Sequence, residues 1–363
     1  MSVAVRGATA DVDDPDDSAL KRIGAIAVRN ESGDVVSLSF HESGVSAAEL
    51  AGLPRLDHLK RVAFYDCRKM TVGAAAEIKR FGVQELVLVE TPIDKEAIKL
   101  IGRMETLRSL HLDEEQIDDS DVANLGNLSN IESLHLMSSF ITGRTLGNFR
   151  FLPKLRELDL RGTDVVDTAL EILAKTQELR VLLLSSTRVR DTGMAHLRHL
   201  ETIQRLDLSS TFVSDRGLMN VGTLKSLEDL DLSRQVQPIA GEQYGRIGDA
   251  GLTHLAGLNG LRSLNLRYTE VTSEGLRTIA AMTELRKLDL CGTRIDDRGL
   301  RRLSDLSKLE ELFLDNTTIS DDGLSELTNL KDLRHVSAKF TSVSSNAARD
   351  FRKRRPAVNL DIR

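Results

Sequence analysis

The sequence predicts an α/β chain of stacked, repeated strand–helix coils. An apolar pattern of the form L-x-x-L-x-L recurs with a 24-residue period, and its alternation of apolar and polar residues is typical of a half-buried strand. The second half of the repeat spaces apolar residues by three, as along one face of a helix (Leu218, Val221 and Leu224). The 363 residues include 57 leucines, no tryptophan and 4% aromatics, which indicates one small packing unit used many times.

The repeat holds its register over most of the chain, giving thirteen repeats over residues 35–356 and a capping strand at 357–363. The spacing from one repeat to the next is constant except for the step from Leu227 to Leu261, which is longer by ten. The repeats begin at Val35, Leu59, Val83, Leu107, Ile131, Leu155, Leu179, Ile203, Leu227, Leu261, Leu285, Leu309 and Leu333, and the last strand begins at Ala357.

Three polar or small positions in the repeat carry structural expectations. An Asp stands where it could cap the helix by accepting its unpaired N–H groups. A Gly follows two residues later and would let neighbouring coils approach closely. A Thr at the ninth position would satisfy backbone groups of the next coil. Examples of the three positions are Asp167, Asp191 and Asp215; Gly193, Gly217 and Gly251; and Thr163, Thr187 and Thr211.

Both ends depart from the repeat in ways that suggest caps. Residues 1–17 are acidic and lack an apolar pattern, so we expect a disordered tail. Residues 18–34 predict a cap made of a helix over 19–23, which Ser18 caps, and a hairpin of 25–29 with 35–40. At the other end, the helix should stop before Pro356. The basic cluster before this proline is interpreted as a solvated cap or, alternatively, as a contact for an acidic partner or nucleic acid; its members are Arg349, Arg352, Lys353, Arg354 and Arg355.

The ten extra residues of the long repeat fall within 234–246. This loop contains Tyr244 and other apolar residues, and we expect it to fold back onto Phe212. It is either a neutral insertion or a recognition loop at one edge of the binding face.

These motifs resemble those of leucine-rich repeat proteins over nearly the whole chain. The segment T-x-I-x-D-x-G-L resembles bacterial repeats abundant in planctomycete-like genomes and, more loosely, those of F-box leucine-rich repeat proteins. The resemblance implies an open right-handed solenoid, or horseshoe, with about 14 parallel strands on its concave face and short helices on its convex face. Stability would then come from contacts between neighbouring coils.

Function should lie in the outward residues of the strands, because the inward leucines only specify the solenoid. An early patch combines apolar side chains with imidazoles, a middle stretch is acidic (Asp159, Asp207 and Asp231), and a late patch holds exposed aromatic rings. Aromatic anchors ringed by charge are typical of protein interfaces. The candidate partner-binding residues are Tyr65, Val87, His111, His135, Met137, Tyr244, Tyr268, Cys291, Phe313, His335 and Phe340.

Several of these positions allow other interpretations. His111 and His135 occupy the same position on adjacent strands and could form an ordinary polar pair, a pH-sensitive contact or a metal site. The aspartates of the middle stretch should pair with arginines at the second position of the repeat, Arg156, Arg180, Arg262 and Arg286. Cys291 should face outward and Cys67 inward, so they should not bond to each other.

Composition and motifs exclude several function classes. The net charge of −6 gives no reason to expect nucleic-acid binding, and no apolar run is long enough to span a membrane. Two cysteines rule out a disulfide framework, and no hydrolase, phosphate-loop or metalloprotease motif is present. We therefore expect no enzymatic activity and no cofactor.

The sequence predicts a cytoplasmic, monomeric scaffold that binds a protein on its concave face. One alternative is a secreted effector or substrate receptor in ubiquitin ligation, acting through an unrelated adaptor contact. The other is a metal-dependent activity at His111 and His135.

Overall fold

The computed structural model describes residues 15–68, 70–113, 116–176, 178–234 and 245–362. The chain divides into an N-terminal unit, residues 1–115, and a C-terminal unit, residues 116–363. In both units a typical coil contributes one strand and one short helix, as the sequence period predicts.

The N-terminal unit is a helix and a hairpin followed by regular coils. Its elements are α1 (Pro15–Arg22), β1 (Ile26–Arg29), β2 (Val35–His41), α2 (Ala47–Ala51), β3 (Arg61–Tyr65), α3 (Val72–Arg80), β4 (Glu85–Val89), α4 (Lys95–Ile101) and β5 (Ser109–Asp113). Strand β1 pairs antiparallel with β2, and β2 to β5 are parallel, with each residue beside its equivalent in the next coil.

The N-terminal end forms a helix and a hairpin with bounds that differ from the expected ones. The hairpin forms, but α1 begins at Pro15, so Ser18 lies inside the helix and does not cap it. Residues 15–17 therefore belong to a helix and not to a disordered tail, while residues 1–14 lie outside the described residues. Leu20 and Ile23 are buried, which shows that this region covers apolar surface of the first coils.

The C-terminal unit continues the pattern with shorter strands. Its elements are α5 (Asp119–Val122), β6 (Ser133–His135), β7 (Glu157–Asp159), α6 (Asp167–Leu173), β8 (Val181–Leu183), α7 (Asp191–Leu197), β9 (Arg205–Asp207), α8 (Asp215–Val221), β10 (Asp229–Asp231), α9 (Asp249–Leu255), β11 (Ser263–Asn265), α10 (Leu276–Ile279), β12 (Lys287–Asp289), α11 (Asp297–Leu300), β13 (Glu311–Phe313), α12 (Asp321–Glu326), β14 (His335–Ser337), α13 (Ser345–Arg354) and β15 (Asn359–Asp361). Short 3-10 helices lie at Ala123–Asn127, Leu146–Phe151, Arg301–Asp305 and Leu327–Asn329.

The strands of the C-terminal unit are all parallel and keep one register through the long repeat. Leu230 pairs with Leu206 on one side and with Leu264 on the other, although the insertion separates Leu230 from Leu264 in the sequence. The insertion therefore changes no strand pairing. Within the described residues, β2 to β5 and β6 to β15 make up the fourteen strands that the period predicts.

The core is the ladder of inward aliphatic residues. Leu206, Leu230 and Leu264 are each at most 1% exposed, and the helices add a second buried row such as Leu218 and Val221. Burial of an aliphatic side chain contributes about 1.5–3 kcal/mol, so each coil gains stability from the coils on either side of it.

The threonines at the ninth position stabilise their own coil rather than the next one. The Thr163 hydroxyl donates to the Leu160 carbonyl at 2.6 Å, and Thr187 donates to Leu184 in the same way. The same bond recurs at Thr211, Thr269, Thr293, Thr317 and Thr341. The expectation that these hydroxyls serve the next coil is wrong for them, because the acceptor lies three residues earlier.

The repeated aspartate does not cap its own helix; it joins two coils. Asp191 is already inside α7, and its Oδ1 accepts the backbone N–H groups of Ser214 at 2.7 Å and Gly217 at 3.1 Å in the next coil. Ser214 is the residue that caps α8. The prediction that the repeated aspartate caps its own helix is therefore wrong, because its carboxylate bonds to the next coil.

The repeated glycine has the predicted role of allowing close approach. A Cβ atom on Gly217 would lie 2.7 Å from Asp191 Oδ1, which is too close for a real contact. The missing side chain therefore makes room for the carboxylate that links the coils.

The C-terminal basic cluster is partly structural. Arg355 donates to the carbonyls of Leu330 at 2.6 Å and Thr328 at 2.9 Å, and Arg352 donates to Leu360 at 2.8 Å. These bonds satisfy carbonyls of the last coils, which supports the interpretation of this region as a cap. In the described residues, no helix combines the length and apolar character that crossing a membrane requires.

Candidate functional site

In each coil, the residues that alternate with the buried leucines form a surface that we call the strand face. They stand at positions three, five and seven, counted from the first residue of the coil. Position five is Asp or Asn in many coils of the C-terminal unit, and its side chain accepts the backbone N–H two residues later at 2.8–3.1 Å. This bond is made by Asp159, Asp207, Asp231, Asn265 and Asp289.

Asp159 is the most enclosed of these carboxylates, with no exposed surface. Arg161 makes a bidentate contact with it, with Nε–Oδ1 and Nη2–Oδ2 distances of 2.9 and 2.6 Å. His135 lies beside it, with Nδ1 3.6 Å from Asp159 Oδ2 and Nε2 3.4 Å from Glu157 Oε1. The charge of Asp159 is thus compensated within the fold.

Asp207 and Asp231 are neighbours on β9 and β10 and are held by neutral donors. Ser209 donates both its N–H and its hydroxyl to Asp207 Oδ1, and Asn265 donates to Asp231 Oδ2 at 2.8 Å. Burial raises the pKa of the Asp207 carboxyl above its usual range, and the nearby charge of Asp231 acts in the same direction.

Two of the arginines at the second position pair with other acids. Arg262 pairs with Glu228 at 3.1 Å and Arg286 with Glu310 at 2.7 Å. The expected pairing of these two arginines with the aspartates is therefore wrong, because the side chains meet acids at the starts of neighbouring strands.

The late patch places two aromatic rings beside basic groups. The Arg267 guanidinium lies 4.7 Å from the centre of the Tyr268 ring. Phe313 is half-buried, with the His335 ring 5.3 Å away and Lys287 Nζ 5.4 Å from its centre. These rings already contact cations of the chain itself, but part of each ring stays accessible.

Phe340 is the most exposed large apolar side chain of the described residues, at 83%. Its backbone is left-handed, with φ of 54°. This conformation recurs at the eighth position of many coils, where the chain turns away from the strand. Most residues there are small or acidic, such as Ser186, Ser210 and Asp66, so a bulky ring is unusual at this position.

The early patch lies on the strand face of the N-terminal unit. Tyr65 stacks on His41 with ring centres 4.8 Å apart, and Arg61 donates to the Tyr65 hydroxyl at 2.8 Å. Arg61 also pairs with Glu85 at 2.9 Å, so its charge is balanced. This surface is nearly neutral and carries an aromatic side chain.

Comparison with known proteins agrees with this architecture. A family model described as a leucine-rich repeat matches residues 259–280. The structure is similar to that of an internalin from Listeria monocytogenes, with a TM-score of 0.66 and 17% identity over 96% of this chain and 94% of that one. It is also similar to a leucine-rich repeat protein from Leptospira interrogans, with a TM-score of 0.62 and 18% identity over 90% of each chain. No curated protein sequence matches the chain.

The protein has a leucine-rich repeat fold. Repeat solenoids of this kind present extended surfaces that can bind other molecules. The predicted α/β repeat architecture is therefore confirmed.

Two candidate residues are less accessible than predicted. Cys291 is 1% exposed and Val87 is 4% exposed, although both stand at outward positions of their coils. Burial, together with the Asp289 carboxylate, raises the pKa of the Cys291 thiol to about 12. The expectation that Cys291 faces solvent is wrong, because its side chain is buried although it stands at an outward position.

The remaining candidates keep part of their surface open. His111 lies on β5 with Nε2 3.1 Å from the Ser109 hydroxyl, and Met137 follows β6. Tyr244 lies outside the described residues. The metal hypothesis at His111 and His135, like the partner-binding role of every candidate, stays a prediction.

Exposed apolar residues outside the candidate set were missed. Phe140 and Phe151 are 64% and 60% exposed, and Met219 is 59% exposed. A usable signal was present, because these residues stand at positions that the leucine-rich repeat pattern does not reserve for the core. The others are Ile26, Val28, Val72 and Val166.

Proposed function

We propose that the protein is a non-enzymatic scaffold that binds a partner protein on the strand face of its C-terminal unit and on the turns at position eight that follow the strands. The exposed ring of Phe340 is the observation that carries this proposal. The leucine-rich repeat fold supports a protein-interaction role in general, and Phe340 supplies the anchor that such a role needs.

Phe340 is unfavourable for the isolated chain in two independent ways. An aromatic ring that is 83% exposed gains little from burial, and a bulky residue with φ of 54° is strained. A smaller or polar residue would satisfy the same turn, as Ser210 and Asn316 do in other coils. A partner that covers the ring would recover the free energy that the fold leaves unused.

Phe313 supports the same surface from a neighbouring coil. Its strand β13 pairs with β14, so its ring lies beside His335 and within one strand of the coil that carries Phe340. A half-buried ring needs little ordering on binding, which lowers the entropic cost of association.

The test compares two sets of variants in a pull-down of the captured partner. We expect Phe313→Ala with Phe340→Ala to abolish recovery, because both anchors are lost. Phe151→Ala is the matched control, since this ring is 60% exposed and lies on a 3-10 helix away from the strand face.

Circular dichroism melting should give the same midpoint for the double variant and the parent protein, since neither ring is part of the buried core. Unchanged partner recovery by the folded double variant would overturn the assignment of the binding surface.

A further inference from the structure

The aspartates at position five have a structural task that does not need their charge. Each accepts the backbone N–H two residues later, which closes the turn at the end of its strand. Asn265 makes this bond with its neutral amide oxygen at 3.1 Å, compared with 2.9 Å at Asp207 and 2.8 Å at Asp231. A neutral amide is therefore sufficient to close the turn, and the turn does not require the negative charges of Asp207 and Asp231.

The surroundings of Asp207 and Asp231 disfavour two ionised carboxylates. Asp207 and Asp231 are direct register partners on adjacent strands, so their side chains stand side by side. Burial raises the pKa of Asp207 above its usual range and the Asp231 charge acts in the same direction, while the two hydrogen bonds from Ser209 and the charge of Arg161 oppose this rise only in part. Among the residues that the structure describes, neither carboxylate forms an ion pair, whereas Asp159 is matched by Arg161.

The position-seven residues beside the two carboxylates are small. Position seven of three successive coils carries the small hydroxyl residues Ser185, Ser209 and Ser233. The Ser209 hydroxyl donates to Asp207 Oδ1 at 2.6 Å and lies 2.7 Å from the Ser185 hydroxyl. No bulky group of these residues covers the carboxylates from the strand face.

The wider strand face of the C-terminal unit has the same sign of charge. Among its described residues at positions three, five and seven, nine side chains are acidic and five are basic. The acidic excess is therefore a property of the face as a whole, and Asp207 and Asp231 are its uncompensated centre. A surface of this kind is complementary to a basic partner.

We propose that the strand face at β9 and β10 binds a partner protein that presents arginine or lysine side chains to Asp207 and Asp231. This inference rests on the proposed function and names the chemistry of the partner. A basic group placed between the two carboxylates relieves their mutual repulsion and forms charge-assisted hydrogen bonds, which is worth most where solvent screening is weakest.

The test uses fluorescein-labelled synthetic peptides as probes, one with alternating Arg and Ser and one with alternating Glu and Ser. Binding is measured by fluorescence anisotropy at low salt and at about 0.15 M ionic strength. We expect the full-length protein to bind the arginine peptide and not the glutamate peptide. The variant Asp207→Asn with Asp231→Asn should weaken arginine-peptide binding by about tenfold or more.

The matched control removes two charges elsewhere. The variant Glu171→Gln with Asp322→Asn changes the net charge by the same amount at exposed helical positions. It should alter binding of the arginine peptide less than about twofold, whereas the strand-face variant should weaken it about tenfold. The precedent of Asn265 predicts that the strand-face variant stays folded, which its melting curve checks. If the double variant unfolds, the single variant Asp231→Asn is measured instead and should weaken binding in the same direction.

Two results would overturn the inference: no binding of the arginine peptide by the parent protein, or equal weakening by the strand-face and control variants. Either result leaves the proposed function standing if the Phe313 and Phe340 double variant still loses its partner. The two experiments therefore fail independently.

Discussion

At the scale of single residues, alternation along a strand predicts to which face of the sheet a side chain points, but not whether solvent reaches it. Cys291 and Val87 both stand at outward positions, yet both are buried. An outward position on the strand therefore does not by itself make a side chain accessible to solvent. Exposure depends on the size of side chains one coil away, which a single repeat of the sequence does not encode.

The buried Cys291 thiol should react very slowly with alkylating reagents. Its pKa of about 12 leaves roughly one part in ten thousand as thiolate at pH 8, compared with about a quarter for an ordinary thiol. We therefore expect labelling of Cys291 by iodoacetamide to rise about tenfold for each pH unit above 8, as long as the protein stays folded.

Peptide mass spectrometry of the labelled protein measures the rate at Cys291 separately from that at Cys67. Protein unfolded in urea is the control and should label rapidly at both cysteines. Fast stoichiometric labelling of native Cys291 at pH 8 would show that the thiol is accessible and that its pKa is not raised.

At the scale of helices, the first turns of successive coils are linked by one side chain. In most described junctions of the C-terminal unit, a carboxylate accepts the backbone N–H at the start of the next helix, as Asp249 does from Thr272 and Asp297 from Ser320. Ser273 and Asp296 exchange the roles, since the hydroxyl now belongs to the earlier coil. The hydrogen bonds between the two coils are thus kept, although the hydroxyl and the carboxylate that make them have exchanged positions.

One junction replaces this link with apolar contact. Gly143 stands where most of the other coils have Asp, and Ala169 stands where most of them have Gly. A Cβ atom on Gly143 would lie 2.5 Å from that of Ala169, so the methyl group fills the space that a carboxylate occupies elsewhere. At this junction both Asp and Gly are replaced, whereas Asp321 keeps its carboxylate although Ala347 stands at the glycine position of the next coil.

Breaking the link at Asp191 should destabilise the fold. The variant Asp191→Ala leaves the N–H and the hydroxyl of Ser214 without the carboxylate that accepts from them, and the Gly217 N–H with only the Ser214 carbonyl, which should cost about 1–3 kcal/mol in the free energy of unfolding. Urea unfolding followed by circular dichroism measures this change.

Glu171→Ala provides the control, since Glu171 is an exposed helical residue one coil earlier. It should shift the unfolding free energy by no more than about 0.5 kcal/mol. Equal midpoints for the two variants would mean that the carboxylate link contributes nothing to stability.

These links also show where prediction from the sequence ends. The period predicts the number, direction and register of the strands, because the buried leucines leave one solution for how coils stack. It also predicts that Gly217 permits close approach. It does not predict the partner of Asp191, because capping its own helix and bonding to the next coil require the same residue type at nearly the same position.

At the scale of the whole chain, the candidate site is less predictable than the fold. Phe313 and Phe340 could be selected in advance because they break the repeat, and Phe340 is indeed largely accessible. Phe140 and Phe151 break the repeat equally and were missed, because they lie outside the strand positions that the prediction considered. The lack of an ion pair at Asp207 and Asp231 among the described residues could be found only from the interatomic distances in the structure. The sequence alone places arginines close enough to neutralise any of the aspartates.

The long repeat offers a test of how independent the coils are. Arg234 stands at position eight and Gly245 takes the place of position nine, so removing residues 235–244 restores a coil of the regular length. The pairing of Leu230 with both Leu206 and Leu264 already has the regular register, and the deletion should leave it unchanged. We expect the shortened protein to keep the circular dichroism spectrum and cooperative melting of the parent, because each coil depends only on its neighbours.

A companion variant adds Gly245→Thr to the deletion and should raise the melting temperature only if residue 245 moves into position nine, because at its present place a Cβ atom would lie 2.0 Å from the Val213 carbonyl oxygen. Loss of cooperative melting in both shortened proteins would show that the inserted residues are required for folding. If folding is retained, the pull-down decides between the two interpretations of the insertion: a recognition loop predicts loss of the partner, whereas a neutral insertion predicts full recovery.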